Sequence, residues 1–128
     1  MPPAGKSNAM SRQKATLLEI AHALSSGGEH RIAAWFTEDF RLHDPSHPGF
    51  PSGHDGARKM LEGTLRLGPN LKIAALDMVE EADRVMVRWR FSAPRDGEAL
   101  DWAVMSMYRF DNGRIAEDWG VHCPRPWP

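Results

Sequence analysis

Apolar residues recur at three- and four-residue spacing from Ser11 onward. Leu17, Leu18, Ile20, Ala21 and Leu24 form one stripe until Ser25, Ser26, Gly27 and Gly28 interrupt it, which predicts a helix. A second, shorter helix is expected over residues 29–36 with Ile32, Ala33, Trp35 and Phe36 inward, and Thr37-Glu38-Asp39 reads as a turn into a strand at residues 40–44. Residues 45–53, rich in Pro, Ser and Gly, read as a loop, and a third helix is expected over residues 55–67, with Ala57, Met60, Leu61 and Leu65 on its apolar face. The remainder has strand character, broken at Glu80-Glu81-Ala82-Asp83, Pro94-Arg95-Asp96-Gly97 and Asp111-Asn112-Gly113, each a hairpin connection. Helices first and an antiparallel meander after them predict an α+β domain with its helices on one face of a sheet.

Period-two alternation sorts the strand residues into faces. Val85, Val87, Trp89 and Phe91 share one side, expected to face the helices, and Met86, Arg88 and Arg90 share the other. In the next strand Leu100, Trp102, Val104, Ser106, Tyr108 and Phe110 oppose Asp101, Ala103, Met105, Met107 and Arg109. Both sides of that strand carry apolar groups. An outer face holding Ala103, Met105 and Met107 needs a cover, and a second copy of the chain is the natural one, so a homodimer through the outer sheet face is expected.

Composition narrows the function classes. A chain of 128 residues fits one domain, and 16 Lys plus Arg against 17 Asp plus Glu leave a formal charge of -1, with no field to attract nucleic acid. The lone Cys123 has no partner for an internal disulfide, and no apolar run is long enough for a signal peptide or a membrane span, so a soluble cytoplasmic protein is expected. Residues 1–10 lack periodicity, and Ser7-Asn8-Ala9-Met10 reads as a cloning remnant or disordered arm; the domain is expected over residues 11–123, followed by a Pro-rich tail over residues 124–128. The tail's Trp127 is placed over a pocket mouth or a subunit boundary. His43, Asp44, His47 and His54 cluster in the sequence, yet they meet no metal-ligand spacing, and neither a metal nor a cofactor is expected.

Two segments, Thr37-Glu38-Asp39-Phe40-Arg41-Leu42-His43-Asp44-Pro45 and Tyr108-Arg109-Phe110-Asp111-Asn112-Gly113-Arg114-Ile115-Ala116-Glu117-Asp118-Trp119, resemble the SnoaL-like polyketide cyclases and their ketosteroid-isomerase-like relatives in the nuclear transport factor 2-like superfamily. The resemblance implies a cone-shaped, curved, mixed or antiparallel sheet with three N-terminal helices around one apolar pocket. Isomerases, cyclases, dehydratases, epoxide hydrolases and non-catalytic binders all occur in that superfamily, so the fold does not decide the reaction. The resemblance also implies roles. Asp44 matches the isomerases' general base, a carboxylate that removes a proton next to a carbonyl, and His122 matches an aromatic residue beside that base. The isomerases' enolate-binding tyrosine and protonated aspartate correspond to Ile20 and Ser106, which argues against steroid isomerisation by that route. The cyclases' Glu-His-Trp-Asp in the final strand reads Glu117-Asp118-Trp119-Gly120 here, and alternation keeps Asp118 on the same face as Gly120 and His122.

The expected site therefore has Asp44 and Asp118 as acid or base and His122 hydrogen-bonded to Asp44. Its walls are expected from Trp35, Phe50, Met60 and Leu65, then Val87 and Trp89, then Trp102, Val104, Ser106 and Tyr108. A small apolar organic ligand is the expected partner. Three functions stay open: proton transfer on a small carbonyl-bearing or cyclic substrate by an isomerase, cyclase or lyase; a binding module that only holds its ligand; and epoxide-hydrolase-like water addition, which requires Asp44, Asp118 and His122 to converge on one water.

Overall fold

The computed structural model describes residues 10–128, so the remnant expected over residues 1–10 lies, apart from Met10, outside the described residues. Helix α1 (Arg12–Ser26) begins where the Ser11 hydroxyl accepts from the Lys14 N–H at 3.0 Å, and it ends at Gly27, whose φ of 73° is the left-handed turn that favours glycine. Its stripe of Leu17, Ile20, Ala21 and Leu24 is buried.

The second helix, α2 (Ile32–Trp35), is a single turn, and strand β1 (Phe36–His43) starts four residues earlier than the polar run suggests. Thr37-Glu38-Asp39 is not a turn. These residues lie in the stretch of β1 where the register slips, between the pairs Phe36 with Ile115 and Arg41 with Glu117. Phe36 is taken into the sheet because it pairs with β5 and packs edge-on against Phe40, with ring centroids 4.8 Å apart. Helix α3 (Gly53–Leu65) also starts two residues earlier than expected. Its entry is tight: a Cβ at Gly56 would stand 1.9 Å from the Pro51 carbonyl oxygen, so only glycine passes there.

Strands β2 (Lys72–Glu81), β3 (Arg84–Ala93), β4 (Leu100–Asp111) and β5 (Arg114–Cys123) form the antiparallel meander. The spatial order is β1-β5-β4-β3-β2, with β1 parallel to β5, so the α+β class holds with a mixed sheet. Helix α1 packs on β2 and α3 on β1, both on the inner face. There Val85, Val87 and Trp89 are buried, while Met86 and Arg90 on the other face are exposed, as the alternation requires. An irregularity at Leu76 lets Ala75 and Met78 face Trp89 and Val87, and Leu76 is left exposed.

The Pro-rich tail runs along the sheet. The Arg125 carbonyl accepts from the Ala103 N–H at 2.9 Å, and the Trp127 indole N–H donates to the Trp89 carbonyl at 2.8 Å. The Arg88 guanidinium lies 5.2 Å from the Trp127 ring, which puts this residue against the outer face and away from the helices.

Candidate active site

Between α1, α3 and the inner face of the sheet lies a cavity of about 560 Å³, enough for a molecule of a few rings. Its walls are apolar: Leu17, Ile20 and Leu24 from α1, Met60 and Leu61 from α3, and Trp89, Trp102 and Val104 from the sheet. Two carboxyl groups meet where β1 and β5 run side by side, and Lys59, Thr64, Arg66 and His122 add polar groups elsewhere on the lining. Leu42 pairs with Asp118 and His43 with Trp119, so Asp44, directly after β1, reaches the same end of the cavity as Asp118.

Asp44 is fixed by its own loop. Oδ1 accepts from the Ser46 N–H at 2.8 Å and from the Ser46 hydroxyl at 2.7 Å, and Oδ2 lies 3.1 Å from the His47 ring. Burial pushes its pKa up, but the hydrogen bonds from Ser46 and the contact with His47 together outweigh this and hold it below the ordinary carboxylate value. Asp44 is therefore both a loop cap and a cavity residue.

Asp118 has the opposite fate. It is 6% exposed, and Oδ1 has no hydrogen-bond partner among the described residues. Burial raises its pKa from 3.8 to about 7, the charge of Asp44 adds to the rise, and the Ser106 hydroxyl opposes it. Next to it the Trp89 indole N–H donates to the Tyr108 hydroxyl at 3.0 Å. Burial and then the Asp118 charge keep that phenol protonated far above its usual range.

The family model for the SnoaL-like domain matches residues 17–118. The chain belongs to the SnoaL-like family. No curated protein matches this SnoaL-like chain in sequence. Among solved structures it is similar to AclR, a candidate hydroxylase from Streptomyces galilaeus, with 25% identity, TM-score 0.73, and 92% of this chain and 83% of that one covered. It is also similar to IdmH, a candidate polyketide cyclase from Streptomyces antibioticus, at 22% identity and TM-score 0.73 over 88% and 92% of the two chains. A candidate polyketide cyclase from Acidithiobacillus ferrooxidans aligns at 18% identity and TM-score 0.74 over 90% of each chain. Among the described residues of the SnoaL-like domain, no helix is long and apolar enough to cross a membrane.

Phe50, Met60, Trp89, Trp102, Val104, Ser106 and Tyr108 all line the cavity, together with Asp44, Asp118 and His122. Three expected wall residues do not. Trp35 is 2% exposed in the core behind the cavity, its indole N–H donating to Glu19. Val87 is fully buried beneath the wall, and Leu65, 37% exposed, turns from the cavity toward a separate depression beside Ser25 and Leu71. The expected bond between Asp44 and His122 is not made among the described residues. His122 stacks on Trp102 at 5.0 Å, and the Asp44 oxygens are taken by Ser46 and His47. Sequence reasoning missed His47 and Thr64 as lining residues, although Asp44-Pro45-Ser46-His47 carries the local signal of an Asp that caps its own turn.

Proposed function

We propose that this domain is a proton-transfer enzyme of the isomerase or cyclase type, acting on a small carbonyl-bearing ring molecule, with Asp44 as base and Asp118 as acid. The observation that carries the reading is a pair of carboxyl groups in one apolar cavity whose environments push their pKa values apart. Between the two values Asp44 is a carboxylate and Asp118 keeps its proton. Asp44 takes a proton from the carbon next to the carbonyl, the C–H electron pair becomes the enol double bond, and the carbonyl oxygen receives the proton of Asp118. Reversal at either carbon completes an isomerisation, and attack of the enol carbon on a second carbonyl completes a cyclisation. Membership of the SnoaL-like family and the likeness to candidate polyketide cyclases support this reading.

The test is deuterium exchange at the α-carbons of β-tetralone in heavy water, followed by NMR. The expected result is acceleration by the wild type that falls by about 100-fold or more in Asp44→Asn and in Asp118→Asn. A wild type that leaves the background rate unchanged, or an Asp44→Asn variant that exchanges as fast as the wild type, overturns the proposal.

The second subunit expected from the sequence is proposed here on a cross-sheet row. Val79 pairs with Met86, Met86 with Met107 and Met107 with Trp119, and all four lie on the outer face, with Val79 67% and Met86 41% exposed. A self-complementary apolar stripe of this kind suits a two-fold homodimer. The tail lies beside Ala103 and Arg88.

A further inference from the structure

The cavity lining divides by exposure: Leu17, Phe36 and Ile115 are buried, whereas Lys59, Arg66, Val121 and His122 are exposed and mark the mouth. Two of these are full cations. Lys59 and Arg66 share one face of α3 and its C-cap, about 10 Å apart along the axis, with Gly63 one turn from each. A Cβ added at Gly63 would meet Arg66 Nη2 at 3.8 Å and, beyond its chain neighbours and the helix backbone, no other described atom within 4 Å. The surface over Gly63 is therefore open, and the guanidinium folds back along it toward Lys59. Among the described residues neither cation forms an ion pair: Arg58 takes Asp55, and Glu62, the other carboxylate of α3, does not line the cavity. Nor are they spent on the site's base, because His47 is the only basic group of the lining that acts on Asp44. The helix dipole favours a cation at the C-terminal end and accounts for Arg66, but Lys59 lies mid-helix.

Resting on the reading above that this cavity holds a small ring molecule, we infer that its mouth is an anion subsite, in which Lys59 and Arg66 bind a carboxylate carried on a side arm of that ligand. The apolar frame fills the interior against Leu24, Met60, Trp89 and Val104, while the carboxylate stays at the opening over Gly63, half in water. This placement follows from charge. The ionised Asp44 lies on the same lining and repels a second carboxylate, so the ligand's acid group belongs where two cations and solvent offset that repulsion. Arg66 offers a planar pair of donors that matches a carboxylate, and Lys59 adds a mobile point charge from the preceding turns. The ligand class is thus narrowed from a ring molecule to a ring acid, and Lys59 and Arg66 become specificity residues that orient it with its acid end outward.

The experiment compares 2-naphthylacetate with 2-naphthylacetamide, two probes of nearly the same shape of which only the first is charged, by calorimetric titration at neutral pH and low salt. The wild type is expected to bind the acid about fivefold or more tightly than the amide, the scale of two solvent-exposed ion pairs. Added sodium chloride should shrink that preference and leave amide binding nearly unchanged. Lys59→Gln and Arg66→Gln are each expected to reduce the preference, and the double variant to abolish it, with amide affinity kept. Arg58→Gln, which removes a cation of the same helix that is paired with Asp55 and does not line the cavity, should keep the preference. Equal affinities for the two probes in the wild type, including no measurable binding of either, overturn the subsite, as does a preference unchanged in the double variant or a double variant that loses both probes alike. Deuterium exchange of β-tetralone, which has no carboxylate, separates the two claims. Asp44-dependent exchange with equal probe affinities refutes the subsite alone; an acid preference that depends on Lys59 and Arg66 without Asp44-dependent exchange refutes the proton-transfer reading and leaves the mouth as an anion-binding site.

Discussion

Replacing Asp118 with Asn should make the protein more stable above neutral pH, by a margin that shrinks steadily through mild acid and vanishes only below about pH 4. The folded protein holds the Asp118 proton up to about pH 7, whereas the unfolded chain releases it near its ordinary value of 3.8. Between those values folding is coupled to proton uptake, so stability is full below the unfolded value, falls as pH rises, and levels off above about 7. At about 1.4 kcal/mol per pH decade, the distance from 3.8 to about 7 amounts to roughly 4 kcal/mol. For a domain of this size that lowers Tm by roughly 10 to 20 °C. Asn keeps the shape of the side chain and carries no charge, so the variant lacks this loss. The assay is thermal unfolding of both proteins from about pH 5 to about pH 8.5. The quantity of interest is the difference between them, which cancels the titration of the histidines and exposed carboxylates common to both. A difference that stays flat across the range refutes the argument that Asp118 folds as a neutral acid, and with it the assignment of Asp118 as proton donor.

Asp44→Asn should lower the pH at which Asp118 loses its proton, because the Asp44 charge is one of the two forces holding that value up; a carboxyl-carbon NMR titration with an unmoved midpoint would show the two groups to be uncoupled. Met107→Lys should shift the protein from dimer to monomer in sedimentation by placing an unpaired charge in the middle of the outer-face row, and a wild type already monomeric at micromolar concentration sinks the interface.

The faces of the sheet were legible because alternation is a local property that tertiary structure rarely inverts. Val85, Val87 and Trp89 point inward and Met86 and Arg90 outward, as their order along the strand demands. The end of the second helix was not legible. Phe36 fits the apolar stripe that starts at Ile32, and its pairing with Ile115 is decided 79 residues away, beyond the reach of any local pattern. Wall residues failed for a related reason. Periodicity says that Trp35 and Val87 face the core, but whether a core residue meets the cavity or lies behind it depends on which neighbours stand in between. His122 has the right strand face for a partner of Asp44, yet the competition is won locally: Ser46 and His47 are two and three residues from the carboxylate and need no long-range registry to reach it.

The same contrast explains how one cavity holds identical carboxyl groups whose pKa values move in opposite directions. Asp44 lies in a loop, where backbone N–H groups and hydroxyls are free to turn toward it, so its charge is solvated by its own segment. Asp118 lies within a strand, where backbone donors are directed along the sheet and cannot serve a side chain pointing into the cavity. Its neighbours on that face are Tyr108, opposite in the ladder, and Gly120, which offers no side chain at all. With one oxygen left unpaired and an ionised carboxylate nearby, retaining the proton is the less costly state. The cyclase pattern would put the carboxylate at position 120; displaced by two residues to 118, it remains on the cavity face but moves toward Leu42 and away from the end of β1. The vacated position is glycine, and a Cβ there would stand 3.0 Å from the Ser106 hydroxyl oxygen and 3.4 Å from Asp118 Oδ1, so the missing side chain is what lets Asp118 pack at this depth.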